Sequence, residues 1–209
     1  MCGIIGIISN ELFDVSKGVK RLKRLEYRGY DSFGFYANDI IYKKVGKIEI
    51  PDIKHNTWIF IGHTRWATHG GVNEINAHPH IDCTGNIIVV HNGTIDNYKE
   101  LREYLEKEGH KFRSETDSEI FAHWFEDRLK KGKDIKEIVL EIFNKFKGTY
   151  ALIVYIKNLK KIIAIKNGSP LVIGIKDNKI YIASDVYAFL DDTENVITLN
   201  DYEFAIIEK

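Results

Sequence analysis

The chain has 209 residues, 44% of them hydrophobic and 29% charged, which is enough to bury a sizeable core in a globular protein. Its 30 Lys and Arg balance 30 Asp and Glu, so charge gives no reason to expect a nucleic-acid or membrane partner. Two cysteines, Cys2 and Cys83, are too few for a disulfide framework and point to free thiols in a reducing, cytoplasmic setting.

The opening Met-Cys-Gly-Ile-Ile-Gly-Ile-Ile is apolar but has no basic leader and stops at Ser9-Asn10, too short for a signal or a membrane span. Gly3 to Ile8 reads as a buried strand. Val15, Val19, Leu22 and Leu25 recur at helical spacing and predict a helix to about Glu26, with Lys20 to Arg24 on its solvated face. Strands follow over Phe33–Ala37, Ile40–Val45 and Trp58–His63. Thr64 to Ile81 is polar and aperiodic, a loop of a length that compact domains usually reserve for function. Asn86 to His91 is a further strand.

Three helices come next. Asn97 with Glu100 makes a capping pair for the first, which ends at Gly109. Thr116 with Glu119 has capping-box spacing for the second, whose apolar face is Ile120, Phe121, Trp124, Phe125 and Leu129 and whose end is Gly132. Asp134 opens the third, and Gly148 closes it. The last third reads as strands over Thr149–Ile156, Lys161–Ile165, Leu171–Ile175, Lys179–Ala183, Asn195–Leu199 and Glu203–Ile207. Regular βαβ alternation is missing, and no linker or repeat interrupts residues 1–209. The expectation is one α+β domain in which helices cover two mainly antiparallel sheets.

Cys2 is the first residue of chemical interest. A cysteine in an apolar strand is ordinarily an inert small hydrophobe. Here Met1 precedes a small residue, so its removal would put a thiol and a free α-amine on one residue. Such an amine ordinarily titrates near pH ~7.7–8.0, which makes it a workable base for the thiol. Asn92-Gly93 is a strong hairpin signal, yet it leads toward a helix rather than a second strand. An Asn amide beside a Gly N–H can aim two donors at one point, as an oxyanion hole requires. Arg65 offers a planar fork for a carboxylate, although for a lone Arg the sequence alone favours a surface ion pair. Asp117, placed by the sequence in the first turn of a helix, is explained by the helix dipole or by pairing with a substrate ammonium. His63, His69, His78, His80 and His91 crowd into one stretch, but their spacing fits no familiar zinc pattern, so no metal is expected. Cys83 sits in a turn with no base nearby in sequence and reads as incidental. GxGxxG, Walker and GxSxG motifs are lacking.

Taken in order, several segments resemble the class II glutamine amidotransferases, which are N-terminal-nucleophile hydrolases. They are Cys2-Gly3-Ile4, Tyr27-Arg28-Gly29-Tyr30-Asp31-Ser32, His63-Thr64-Arg65-Trp66-Ala67-Thr68-His69-Gly70, and Asn76-Ala77-His78-Pro79-His80. Then come His91-Asn92-Gly93, Ser114-Glu115-Thr116-Asp117, Gly168-Ser169-Pro170 and Ala183-Ser184-Asp185. The wording of the Tyr-Arg-Gly-Tyr-Asp-Ser and His-Thr-Arg-Trp-Ala-Thr-His-Gly segments resembles the members that serve glucosamine 6-phosphate synthesis. Phe33 and Thr94 depart from their usual Ala and Ile.

The resemblance implies a four-layer αββα sandwich and hydrolysis of L-glutamine to glutamate and ammonia through a Cys2 thioester. It implies that Asn92 and Gly93 hold the oxyanion, Arg65 the substrate carboxylate and Asp117 its ammonium. Thr68 and His69 would belong to a closing loop, Trp66 would gate the ammonia exit, and Arg28 and His78 would lie near the site. No cofactor is implied. The ammonia would pass to a sugar-phosphate isomerase region, which residues 1–209 do not include. The chain is therefore expected to be one domain of a larger enzyme or a separate glutaminase subunit. Two alternatives keep the same residues: an N-terminal-cysteine amidohydrolase acting on another amide, which would not need Arg65 and Asp117, and a non-catalytic glutamine sensor.

Overall fold

A computed structural model describes residues Met1 to Lys209. The apolar run after Cys2 forms β1 (Gly3–Asp14), longer than the sequence predicts. Its pairing with β4 resumes at Phe13 after an irregularity that follows Ile8. Asp14 then caps α1 (Val15–Lys23), accepting the Ser16 N–H at 2.8 Å. The helix ends at Lys23, short of the expected Glu26, and a separate 3₁₀ turn covers Glu26–Arg28. Strands β2 (Ser32–Ala37), β3 (Ile40–Val45) and β4 (Asn56–Arg65) follow. The long loop after β4 closes on β5 (His80–Ile81), and β6 (Ile87–Ile95) runs through Asn92-Gly93 without turning.

The helical block comprises α2 (Tyr98–Lys107), α3 (Glu119–Lys130) and α4 (Ile135–Lys145). Two expected caps are absent. Asn97 turns away from its helix and bonds the Lys145 carbonyl and the Lys147 N–H. Glu119 does not reach back to Thr116. It accepts from the Arg113 and Ser114 N–H groups, and Thr116 bonds His80 instead. These are tertiary partners, which local spacing does not report. The Asp134 cap is present as a full capping box with Glu137. The remaining strands are β7 (Gly148–Ile156), β8 (Lys161–Asn167), β9 (Val172–Lys176), β10 (Lys179–Ala183), β11 (Val196–Thr198) and β12 (Glu203–Glu208).

The strands make two sheets, ordered β11-β9-β10-β1-β4-β2-β3 and β12-β8-β7-β6-β5, antiparallel at each pairing. Alternation along each strand supplies two apolar faces per sheet. Ile4 and Ile8 of β1 face Val90 and Ile153 of the other sheet in a core between the sheets. Ile5 and Ile7 point the opposite way, toward Val19 and Leu22 of α1. On the far side, Val89 and Leu152 pack against Phe121, Trp124 and Ile138 of the helical block. Three cores between four layers give the expected αββα sandwich. Gly18 lets α1 lie directly on its sheet, because a Cβ there would stand 2.4 Å from the Phe60 ring. Between the two sheets, the ends of β1, β4 and β6 bring Cys2, Arg65 and Asn92 to one edge of the sandwich. No helix is long and apolar enough to cross a membrane.

Candidate active site

The start of β1 is fixed from both sides. Gly3 N–H donates to Thr64 Oγ1 at 3.1 Å, and Ile4 N–H donates to Ser184 Oγ at 3.1 Å. Cys2 is thereby set opposite the end of β4. Its Sγ accepts the Trp66 N–H at 3.2 Å and lies 3.5 Å from the Trp66 carbonyl oxygen. Burial pushes the Cys2 thiol up from its ordinary value. The Trp66 N–H, the amino terminus and Arg65 pull it down without overcoming burial. A thiol so placed needs a base before it can attack. With Met1 in place, the nitrogen of Cys2 is an amide.

Asn92 and Gly93 lie on β6 opposite Ala151 and Tyr150 of β7. Asn92 Nδ2 donates to the Cys2 carbonyl oxygen at 2.8 Å. Gly93 has φ of +129°, and a Cβ there would lie 2.0 Å from the Thr149 oxygen, so the position requires glycine.

Two clefts meet at Cys2. The inner one is lined by Arg65, His69, His78, His91, Gly93 and Asp117, and Trp66 and Thr68 border both. It is nearly closed, with a cavity volume of about 20 Å³. Arg65 explains this closure: its guanidinium donates to the carbonyls of His69, Gly70 and Gly71, drawing residues 69–71 of the loop inward. The loop is also tied by Asp31, which accepts the Ala67 N–H at 2.9 Å. Asn76 bonds both Gly71 and Glu115. The outer cleft, of about 410 Å³, is lined by Met1, Arg28, Asn92, Thr94 and Pro170 among others.

Asp117 stands before α3, whose first residue is Glu119, and not within its first turn as the sequence suggests. Its Oδ2 accepts the Ile95 N–H at 2.8 Å, which explains its placement better than a helix dipole does. Arg28 is paired with Asp185 at 3.2 Å beside the outer cleft. His78 stacks on His63 with ring centroids 3.7 Å apart and meets His80 edge-on at 4.4 Å. Burial holds all three rings below the usual imidazole value, His63 at about 3, so they are neutral. His69 stands edge-on to Tyr98 and contacts Thr68 Oγ1 at 3.3 Å.

Sequence reasoning missed the Trp66 main chain on the sulfur and the Asn76–Glu115 brace. Both residues of the brace lie in segments that the motif order singles out, and that was the available signal. It also gave no sign of the neighbours of Cys83. That sulfur lies 3.6 Å from His123 Nδ1 and 3.9 Å from His110 Nδ1, partners 40 and 27 residues away.

A family model described as glutamine amidotransferase domain matches residues 1–206. The chain belongs to the glutamine amidotransferase domain family. It is 46% identical over its whole length to the glutamine–fructose-6-phosphate aminotransferase (isomerizing) of Thermococcus kodakarensis, of which it covers 36%. It is 44% identical, again over its whole length, to the enzyme of the same name from Thermotoga maritima, of which it also covers 36%. The chain thus spans about a third of the length of these curated relatives. Among solved amidotransferases, glutamine phosphoribosylpyrophosphate amidotransferase from B. subtilis superposes with a TM-score of 0.77 at 25% identity. That match covers 99% of this chain and 47% of that one. A predicted glutamine amidotransferase from Pseudomonas aeruginosa shares the fold, with a TM-score of 0.60 at 15% identity over 98% of this chain and 96% of that one.

Proposed function

We propose that this amidotransferase domain hydrolyses L-glutamine to L-glutamate and ammonia, with Cys2 as nucleophile after removal of Met1. The observation that carries the reading is the position of Cys2 Sγ at the junction of two clefts. A fixed guanidinium and carboxylate, Arg65 and Asp117, line the inner cleft, Asn92 lines the outer one, and Gly93 borders both. An amino acid has that charge pattern at one end and, in glutamine, an amide at the other.

The steps follow from the groups. Cys2 Sγ forms a bond to the amide carbon while its proton passes to the freed α-amine. Asn92 Nδ2 and the Gly93 N–H receive the oxyanion. The amine returns the proton to the leaving nitrogen, the C–N bond breaks, and ammonia departs. Water then cleaves the glutamyl thioester. Arg65 must exchange the carbonyls of His69, Gly70 and Gly71 for the substrate carboxylate, so Thr68 and His69 move as glutamine enters.

Ammonia leaves through the outer cleft past Trp66, whose side chain is 48% exposed and borders both spaces. The acceptor in this reading is a sugar-phosphate isomerase region, domain or subunit, and the product is glucosamine 6-phosphate made from fructose 6-phosphate. What supports it is 44–46% identity across the whole chain to relatives named for that aminotransferase reaction. The setting is cytoplasmic, as two unpaired cysteines suggest. The test is glutamate release by purified protein whose N-terminus is verified as Cys2 by mass. Bound glutamine without glutamate would make the domain a sensor instead.

A further inference from the structure

Outside the Cys2 clefts, four ligand-type side chains converge at the edge of the helical layer. Cys83 comes from the turn before β6 and His110 from the segment after α2. His123 and Glu126 share one face of α3 at i, i+3 spacing. We propose that Cys83 Sγ, His110 Nδ1, His123 Nδ1 and Glu126 Oε2 form a structural site for one zinc ion.

The spacing fits. Zinc bonds of about 2.0–2.1 Å to nitrogen or oxygen and about 2.3 Å to sulfur give tetrahedral edges of about 3.3–3.6 Å between ligand atoms. Cys83 Sγ lies 3.6 Å from His123 Nδ1 and 3.9 Å from His110 Nδ1. Glu126 Oε2 lies 3.0 Å from His110 Nδ1 and 3.4 Å from His123 Nδ1. All four ligand atoms fall within 4.8 Å of one another.

The outer nitrogens argue more strongly. His123 Nε2 faces Glu119 Oε1 at 3.2 Å, and His110 Nε2 faces Asp127 Oδ1 at 3.6 Å. Each ring therefore has a carboxylate oxygen at both nitrogens. Ionised carboxylates only accept, and a neutral imidazole donates from one nitrogen. Glu119 also accepts from Ser114 and Arg113, and Glu126 from Lys130 and the Cys83 N–H. The two buried rings stand with centroids 5.3 Å apart, each between two carboxylate groups. A central cation gives each inner ring nitrogen a partner and leaves the outer one free to donate. The Nδ1 lone pairs bind it, and each Nε2–H donates to its outer carboxylate, the usual arrangement for metal-bound histidine.

A thiolate and one carboxylate neutralise a divalent ion. Mixed sulfur, nitrogen and oxygen donors suit zinc. The three α2–α3 ligands are buried while Cys83 is exposed, which leaves an entry path. Four protein ligands close the coordination sphere, so the ion's role is to pin the Cys83 turn and the His110 segment to α3. Glu119 extends that anchor to Ser114, three residues before Asp117.

The test uses the full chain carrying Cys2→Ser, so that Cys83 is the only thiol. After chelation and gel filtration, zinc or cobalt is added alone. The expected results are one zinc per chain and a higher Tm. Cobalt should give a thiolate charge-transfer band with the intense visible bands of a four-coordinate ion. Adding Cys83→Ser should abolish the charge-transfer band, and Glu119→Gln should weaken zinc binding about 10–100-fold. Cys83→Ser on its own should leave glutamine turnover unchanged at temperatures where the chain stays folded. Substoichiometric zinc, an unmoved Tm, or a cobalt charge-transfer band that survives Cys83→Ser would overturn the proposal.

Discussion

The side-chain amide of Asn92 donates to the main-chain carbonyl of Cys2 at 2.8 Å, joining the two sheets at the proposed nucleophile. In the proposed reaction the same Nδ2 also donates to the oxyanion. Asn92→Ala is expected to lower kcat about 10²–10³-fold with a much smaller change in KM, since the donor acts on charge that develops only in the transition state. Steady-state glutaminase kinetics check this, and a change confined to KM would oppose it.

Gly93→Ala should be poorly tolerated for two separate reasons, a φ of +129° and a Cβ placed 2.0 Å from the Thr149 oxygen. Backbone strain of this kind costs roughly 1–3 kcal/mol, and the steric conflict adds to it. Thermal unfolding should show a clearly lowered Tm, and the fraction that folds should have lost most of its turnover.

Arg65 and Asp117 predict a different kinetic signature. In the proposed reaction each makes a charged contact to the amino-acid end of glutamine, worth about 1.5–3 kcal/mol. Arg65→Ala and Asp117→Asn should therefore raise KM for glutamine about 10–100-fold and change kcat far less. Asn is the better replacement at 117 because it keeps an acceptor for the Ile95 N–H. Unchanged kinetics in both variants would favour an amidohydrolase with another substrate.

Stability should fall toward acid pH. Burial holds His63, His78, His80 and His91 below the usual imidazole value in the folded chain, His63 at about 3. The unfolded chain takes up these protons near pH ~6.5, so it binds more protons than the folded chain below that point. Stability that is complete above pH ~6.5 is lost as pH drops toward the folded values, by up to about 1.4 kcal/mol per pH unit for each ring. Tm measured from about pH 8 to about pH 4 should decline through this window. A flat profile would mean that the rings are not buried as neutral groups.

Much of this was legible in the sequence, and the exceptions share a cause. β3 and β10 have the predicted bounds because alternation and turn residues are local signals. Glu119 looked like a cap for Thr116 but serves Ser114, Arg113 and His123, whose positions depend on tertiary packing. Arg65 on sequence alone favours a surface ion pair, and only the fold sets its guanidinium against the loop carbonyls at the cleft. Cys83 has no partner near it in sequence, and its neighbours arrive from α3 and from the segment after α2. Spacing reveals what one element does, and it misses what several elements bring to a point.

The most direct test is acid-quench mass spectrometry of the N-terminal peptide during turnover. Protein that begins at Cys2 should carry a glutamyl group on that peptide, and protein retaining Met1 should carry none and release no glutamate. Glutamate release at full rate from the Met1-retaining protein, or a glutamyl adduct on a residue other than Cys2, would contradict the account.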